Sequence, residues 1–271
     1  MSKLFATGTT GTIGRHFGIK AEHIPINLSQ EIWNDKNFNI SQGDAVLHCA
    51  AIVGVNSVRR NEKLAYQVNV EATRKLAQMA RRRGAARFVY VSTAHVYANS
   101  KSPITELASV APQSLYAQQK YEGENAVIEE LTFSDTEFCI ARVFSVLDWE
   151  GKAFSLGNSI RELLDSRSSK LLTNCDDVRD FLTPKTIADA LIAIAEMPGL
   201  NEIVNVCSSQ GIRVGDAARI MFELSGFSFP SNKTVAGNSS NPFLVGENSK
   251  LRAQIPNLKL TWDPSVFYLN Q

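Results

Sequence analysis

Short apolar runs alternate with helix-like patterns over the first half of the chain. Runs typical of buried strands fall at Leu4–Thr7 and at residues 23–27, 45–49, 88–91 and 138–141. Apolar positions recur at helical spacing over residues 61–83 and 114–130, and a further helix is expected after the first strand, up to about Lys20. Strands that alternate with helices form a parallel sheet with both faces covered. We therefore predict an α/β fold with a doubly wound parallel sheet.

The alternation loosens after about residue 145. Helices are expected at residues 154–165, 184–196 and 214–225, and a strand is expected at residues 203–206. The last segment, residues 226–271, is rich in Pro, Asn, Ser and Gly, so we expect mostly irregular structure there. The pattern therefore predicts one large α/β unit followed by a smaller region.

The composition is that of an ordinary globular protein, with 44% apolar and 20% charged residues among 271. The net charge of +1 gives no overall attraction to nucleic acid or to an anionic membrane. The most apolar stretch, residues 187–197, is too short to span a bilayer, and the first residues lack the features of a secretory signal. We therefore expect a cytoplasmic protein with no nucleic-acid or membrane partner.

Several common kinds of site have no support in the sequence. The cysteines are far apart in sequence, so we expect reduced thiols rather than a zinc or dithiol site. They are Cys49, Cys139, Cys175 and Cys207. No HExxH motif or close histidine pair predicts a metal site. The absence of GxSxG and of a P-loop motif disfavours a serine hydrolase and a P-loop nucleotidase.

A glycine-rich turn directly follows the first strand, with the spacing GxxGxxG. Glycines between a strand and a helix let the backbone approach a pyrophosphate, which then faces the positive end of the helix. We therefore predict that this segment binds a dinucleotide. The predicted contacts are Gly8, Thr10, Gly11, Thr12, Ile13 and Gly14.

The residues after the second strand usually distinguish NAD from NADP. In NAD enzymes a carboxylate at this place binds the ribose hydroxyls. Residues 26–30 contain no carboxylate, and Asn27 can bond a ribose hydroxyl without repelling a 2′-phosphate. No arginine lies there either, although Arg15 directly follows the glycine motif. The sequence therefore slightly favours NADP over NAD.

Tyr116 and Lys120 form a YxxxK pair, which a helix places on one face. A lysine beside a phenol lowers the phenol pKa from about 10, so the tyrosine can exchange a proton with a carbonyl or hydroxyl group. Thr93 ends a predicted strand, at the edge where open α/β sheets bind ligands. These three residues predict the catalytic site of a nicotinamide oxidoreductase.

The motifs together resemble those of the extended short-chain dehydrogenase/reductases, also called the NAD-dependent epimerase/dehydratase family, over almost the whole chain. Other segments that resemble the family are residues 44–51, 67–73, 92–97, 178–181 and 201–206. The resemblance implies a Rossmann-type NAD(P)-binding domain at residues 1–150, to which residues of about 175–207 return. It also implies a small α/β substrate-binding region at residues 151–271.

The resemblance implies a role for each candidate residue. Tyr116 is the general acid in reduction, Lys120 binds the nicotinamide ribose and lowers the pKa of Tyr116, and Thr93 orients the substrate oxygen. The further cofactor contacts that it implies are Ala50, Ala51, Val91 and Val143. The implied contacts to a nucleotide-linked sugar are Thr93, His95, Ser145 and Arg179. Two alternatives stay open: Arg179 pairs with a flanking aspartate, and His95 is a packing residue.

Three functions are compatible with these residues. A keto reductase of a nucleotide-linked sugar is favoured by the short segment at residues 28–43 and by the missing carboxylate after the second strand. The alternatives are a nucleotide-sugar C4 epimerase that retains NAD and a non-catalytic dinucleotide-binding regulator. Ser145 stands where many nucleotide-sugar enzymes carry a substrate-binding asparagine. The family also implies a homodimer formed by the helices at about residues 61–83 and 114–131.

Overall fold

The computed structural model describes residues 2–25, 39–148, 156–164, 171–230, 232, 234–235, 237 and 241–264. Its strands are β1 (Leu4–Thr7), β2 (Ala21–His23), β3 (Ala45–His48), β4 (Arg87–Thr93), β5 (Glu137–Val143), β6 (Ser145–Val146), β7 (Leu172–Thr173), β8 (Val178–Leu182), β9 (Ile203–Val206), β10 (Gly211–Arg213), β11 (Thr234–Val235) and β12 (Phe243–Leu244). Its helices are α1 (Val55–Arg60), α2 (Glu62–Tyr66), α3 (Ala72–Arg82), α4 (Leu115–Leu131), α5 (Leu156–Leu164), α6 (Pro184–Glu196), α7 (Val214–Leu224) and α8 (Ser249–Gln254). A π-helical turn, Gln67–Glu71, joins α2 to α3.

A parallel sheet of six strands, in the order β2-β1-β3-β4-β5-β9, forms the centre of the fold. All residues of β4 are buried, because helices cover both faces of the sheet. Successive β4 residues therefore enter different cores: Val89 packs in the cluster that holds Leu191 of α6, and Phe88 packs in the cluster that holds Leu76 of α3. The doubly wound parallel sheet predicted from the sequence is confirmed.

The first crossover is shorter than predicted. In place of a helix up to Lys20, the chain makes two 3₁₀ turns, Gly14–His16 and Gly18–Lys20. Gly18 has a φ of 61°, in the left-handed region that a right-handed helix does not contain, so the helical turn ends there. β2 consequently begins earlier than predicted. The glycine loop therefore leads into two short 3₁₀ turns rather than a long helix.

A second, mixed sheet has the order β10-β8-β12, and β6 also pairs with β8. Its own apolar cluster joins Phe181 of β8, Ile160 of α5 and Met221 of α7. Helix α6 and strand β9 return to the main sheet, whereas β8 belongs to the second sheet. In the described part of residues 226–271 the regular elements are the short β11, β12 and α8. Across the described ranges, no helix is both long and apolar enough to cross a bilayer.

Candidate active site

The glycine loop folds tightly against the loop that follows β3. Gly8 has a φ of 72°, and a Cβ atom there would lie 2.7 Å from the backbone nitrogen of Ala50. A Cβ atom on Gly14 would lie 2.1 Å from the backbone oxygen of Gly8, which accepts the Gly11 N–H at 2.9 Å. No side chain fits at these two positions. The loop therefore has the close backbone approach that a pyrophosphate-binding turn needs.

A chain of hydrogen bonds holds the residues beside this loop. The Thr7 hydroxyl oxygen accepts the Ala50 N–H at 3.1 Å and hydrogen-bonds Nδ1 of His48 at 2.7 Å. Nε2 of His48 lies 2.9 Å from the Thr73 hydroxyl, which donates to the backbone oxygen of Asn69. Because Thr73 uses its proton on that carbonyl, His48 donates from Nε2 and accepts at Nδ1. The ring is neutral, and burial lowers the pKa of His48 to about 3.

Acid is expected to destabilise the fold through His48. In the unfolded chain this histidine takes up a proton near its usual pKa of about 6.5, whereas the folded pKa is about 3. Between these values the unfolded state binds more protons, so the free energy of unfolding falls as the pH falls. The loss between about pH 7 and about pH 4 is on the order of 3 kcal/mol. Urea unfolding at the two pH values measures it.

A pair of histidine variants isolates this contribution. His48→Asn is expected to flatten the dependence of unfolding free energy on pH, since it removes the buried titrating ring. His23→Asn, which replaces an exposed histidine, is the matched control. If both variants kept the wild-type slope, His48 would not be the group responsible.

The candidate catalytic residues meet at the carboxyl end of β4. Thr93 is the last residue of β4, and Tyr116 lies in the first turn of α4, close enough for Thr93 to affect the pKa of its phenol. One turn further along α4, Lys120 is buried with Nζ 4.0 Å from the centre of the Tyr90 ring. The structure therefore brings together the threonine, tyrosine and lysine that the sequence predicts as one site.

The pKa of Tyr116 differs from the expectation. Burial raises it to about 12, and the neighbouring Thr93 offsets only part of this rise. Burial lowers the pKa of Lys120 to about 8, although the carboxylate of Glu124 acts in the opposite direction. The pKa of Tyr116 is therefore above about 10 rather than below it, because loss of hydration penalises the phenolate. Tyr116 therefore keeps its proton at neutral pH. The expectation that Lys120 lowers this pKa stays a prediction.

His95 and Arg179 face the same side of this site. The His95 N–H donates to the Thr93 hydroxyl oxygen at 3.3 Å, which starts a 3₁₀ turn. Desolvation, and then the positive charge of Arg179, lower the pKa of His95. Arg179 also donates to a carboxylate oxygen of Asp177 at 2.7 Å. The ion pair left open as an alternative for Arg179 is therefore present, and the guanidinium still lies close enough to act on His95.

The glycine loop and the candidate catalytic residues lie in a part of the chain that matches a known protein family. The family model described as NAD dependent epimerase/dehydratase matches residues 8–207. The chain belongs to this family. The match begins at the glycine loop and ends just after β9, so it contains both the loop and the Thr93, Tyr116 and Lys120 cluster.

Relatives within the family include reductases of nucleotide-linked sugars. A dTDP-4-dehydrorhamnose reductase from Mycobacterium tuberculosis is 32% identical over 139 residues, which is 46% of this chain and 45% of that protein. This match thus spans less than half the length of that relative. A GDP-6-deoxy-D-mannose reductase from Pseudomonas aeruginosa is 24% identical over 82% of this chain and 80% of its own length.

The fold also matches solved structures. RMD from Pseudomonas aeruginosa, solved as a complex with NADPH, has a TM-score of 0.83 and 20% identity, over 97% of this chain and 95% of that chain. This likeness supports the Rossmann-type fold in which the family's sites are built.

The remaining predicted contacts lie around the same edge of the sheet. Ala50 and Ala51 directly follow β3, and Ala50 touches the glycine loop. Val91 and Val143 stand near the carboxyl ends of β4 and β5, where they are 7% and 5% exposed within the apolar core. Ser145 lies in β6, which pairs with β8, the strand that carries Arg179. These positions are compatible with the predicted contacts.

At the carboxyl end of β2, the described residue that contacts the glycine loop is His23. Asn27 lies outside the described residues. His23 ends β2, and its Nδ1 lies 2.7 Å from the hydroxyl oxygen of Thr9 in the glycine loop. Glu22, the carboxylate within β2, forms an ion pair with Lys3 at 2.7 Å. Arg15 is held by Asp148 at 2.8 Å.

The sequence did not predict the structural roles of two buried acidic side chains in this region. Asp180 is buried and accepts hydrogen bonds from the backbone of Ser208, Ser209 and Gly246, so it joins β8 to two loops. Glu124 on α4 is also fully buried. Its position four residues after Lys120 was the available signal, since residues at that spacing share a helix face.

Proposed function

We propose that this chain is an NAD(P)H-dependent reductase of the keto group of a nucleotide-linked sugar, with a slight preference for NADPH. The observation that carries the proposal is the placement of Thr93, Tyr116 and the buried Lys120 together at the carboxyl end of β4, the sheet edge where the glycine loop lies. The reductases among the relatives support the same reaction class. Tyr116 carries its proton at neutral pH, so the proton that reduction requires is present.

Each residue has a defined part in the proposed reaction. Tyr116 donates its phenolic proton to the substrate oxygen as the carbonyl becomes an alcohol. The Thr93 hydroxyl orients that oxygen. The ammonium of Lys120 stabilises the phenolate left on Tyr116 and binds a ribose hydroxyl of the cofactor. A positive charge close to the new phenolate lowers the free energy of that state, which partly offsets the burial of Tyr116.

The glycine loop fits a dinucleotide, since a Cβ atom at Gly8 or Gly14 would collide with backbone. When bound, a nicotinamide dinucleotide supplies the hydride. The residues proposed to hold it are those predicted from the sequence: Gly8, Thr10, Gly11, Thr12, Ile13, Gly14, Asn27, Ala50, Ala51, Val91, Tyr116, Lys120 and Val143. We propose that the second sheet and its helices hold the sugar nucleotide, with His95, Ser145 and Arg179 in contact with it.

We further propose that the protein is a cytoplasmic homodimer. The proposed contact is formed by the helices that the family resemblance named, which the structure describes as α2, α3 and α4. Sedimentation at several concentrations measures the molecular mass. A mass equal to one chain at all concentrations would contradict the dimer.

The nucleotide content of the purified protein is the first test, followed by titration with NADPH and NADH. We expect a protein without retained nucleotide that binds NADPH more tightly and oxidises it with a dTDP-linked or GDP-linked 4-keto-6-deoxyhexose. Lys120→Met is expected to weaken dinucleotide binding and to reduce turnover. The exposed Lys259→Met is the control.

Each of three other results would contradict the proposed reductase function. NAD⁺ that survives gel filtration, with sugar product formed without net oxidation, would indicate the C4 epimerase. Binding of NADPH without turnover of any keto sugar nucleotide would indicate a dinucleotide-binding regulator. Binding of neither dinucleotide would contradict the assigned role of Gly8, Gly11 and Gly14.

A further inference from the structure

The carboxylate of Glu124 is completely buried beneath the candidate catalytic residues. It accepts hydrogen bonds from Nε of Arg142 at 3.0 Å, from Nη2 of Arg142 at 2.6 Å and from the hydroxyl of Ser92. Both carboxylate oxygens therefore have partners, which holds the group in one orientation. Removing one charge of such a buried pair leaves the other uncompensated. The proposed reaction gives Glu124 no proton to transfer.

These hydrogen bonds join the elements that carry the site. Ser92 precedes Thr93 at the end of β4, and the guanidinium partner of Glu124 comes from β5. On α4, Glu124 follows Lys120 by one turn and Tyr116 by two, so the three side chains share a face. The carboxylate thus holds the helix that carries the tyrosine and lysine against the strand that carries the threonine.

The surroundings of Lys120 disfavour its positive charge. The titratable groups that contact or act on the ammonium are His48, Cys49, Tyr90 and Glu124, and Tyr116 lies one turn before Lys120 on α4. His48 is neutral, and burial raises the pKa of the Cys49 thiol to about 11, so neither supplies a negative charge at neutral pH. The negative charge of Glu124 raises the pKa of Lys120, against the effect of burial.

We propose that Glu124 is a positioning residue, which holds Tyr116 at Thr93 and keeps the side chain of Lys120 positively charged. Its effect on turnover rests on the function proposed above, whereas its effect on the charge of Lys120 does not. A rigid, fully hydrogen-bonded carboxylate is suited to this role because it fixes the helix and supplies a charge that cannot move away.

Glu124→Gln tests this role, since it keeps the shape of the side chain and removes the charge. NMR titration of isotope-labelled lysine side chains follows Lys120, whose signal is assigned by its loss in Lys120→Met. We expect the Lys120 midpoint to fall by about one pH unit, because the carboxylate that favours the ammonium is lost. With substrate, kcat is expected to fall at least about tenfold with little change in KM, and the alkaline limb of the kcat profile moves to lower pH.

Two further variants separate positioning from stability. Glu137→Gln breaks an ion pair with the buried Arg87 at the far end of the sheet, and we expect it to change neither the Lys120 midpoint nor kcat. Glu124→Gln combined with Arg142→Met removes both charges of the first pair. We expect this double variant to regain stability while the Lys120 midpoint and kcat stay low.

The outcomes distinguish the inference from the proposed function. A double variant with wild-type midpoint and kcat would show that the pair is only structural and would overturn the inference. If Glu137→Gln lowered the Lys120 midpoint and kcat as much as Glu124→Gln does, the inference would be overturned as well. A lowered Lys120 midpoint in Glu124→Gln, in a protein that reduces no keto sugar nucleotide, would support the effect on Lys120 and contradict the proposed function alone.

Discussion

Tyr116→Phe is expected to lower turnover at least about a hundredfold, while the affinity for NADPH changes little. The substitution removes the proton that the substrate oxygen receives, and it keeps the ring that fills the space beside Thr93. A positioned general acid contributes about 10²–10⁴ in rate, so the loss falls in kcat rather than in binding. Steady-state kinetics with a keto sugar nucleotide, together with an NADPH titration monitored by fluorescence, measures both quantities.

The control for this variant is Tyr66→Phe, which removes the hydroxyl of an exposed tyrosine on α2. Its turnover is expected to match the wild type, and sedimentation checks that it keeps the oligomeric state, since α2 belongs to the proposed dimer contact. Turnover of Tyr116→Phe within a few-fold of wild type would exclude Tyr116 as the general acid. A loss confined to NADPH affinity would instead assign Tyr116 to cofactor binding.

Gly14→Ala is expected to destabilise the fold by about 2–4 kcal/mol. The new methyl group would lie 2.1 Å from the backbone oxygen of Gly8 and 2.8 Å from the Cα atom of Thr9. Both contacts are with backbone, so no side chain can rotate away, and the first turn must separate from β1. Urea unfolding measures the loss, and NADPH binding is expected to disappear with it.

Gly11→Ala is the matched control on the same loop. Its methyl group would meet the nearest backbone atom, the Gly8 oxygen, at 3.2 Å, which a small shift can accommodate. We expect the free energy of unfolding to change by less than about 1 kcal/mol. We also expect the affinity for NADPH to fall at least about tenfold, because the methyl group would lie where the pyrophosphate approaches the loop. Equal stability of the two variants would contradict the packing role assigned to Gly14.

The structure corrects the sequence where tertiary contacts outweigh local pattern. Residues 14–20 have a helical pattern, but Gly18 adopts a left-handed conformation and the chain enters β2 early. The short strands of the second sheet, such as β6 and β12, carry too few residues for a period-two pattern to show. Local patterning therefore predicted the long elements and missed these short ones.

The sequence by itself determined the order of the long strands and helices, the glycine loop and the spacing of Tyr116 and Lys120. These features are local: a strand followed by a turn, or two residues one helical turn apart, is encoded within a few neighbouring positions. The same local information placed Thr93 at the end of β4, at the edge of the sheet where ligands bind.

Only the tertiary structure decided the protonation states and the partners of the polar side chains. The pKa of Tyr116 rises because residues distant in sequence exclude water from it. The sequence pattern does not distinguish Glu124 from an exposed charge on a helix. In the structure, Arg142, from the strand that follows this helix, pairs with Glu124 in the core. Burial and charge pairing depend on distances through space, and those are set when the helices close over the sheet.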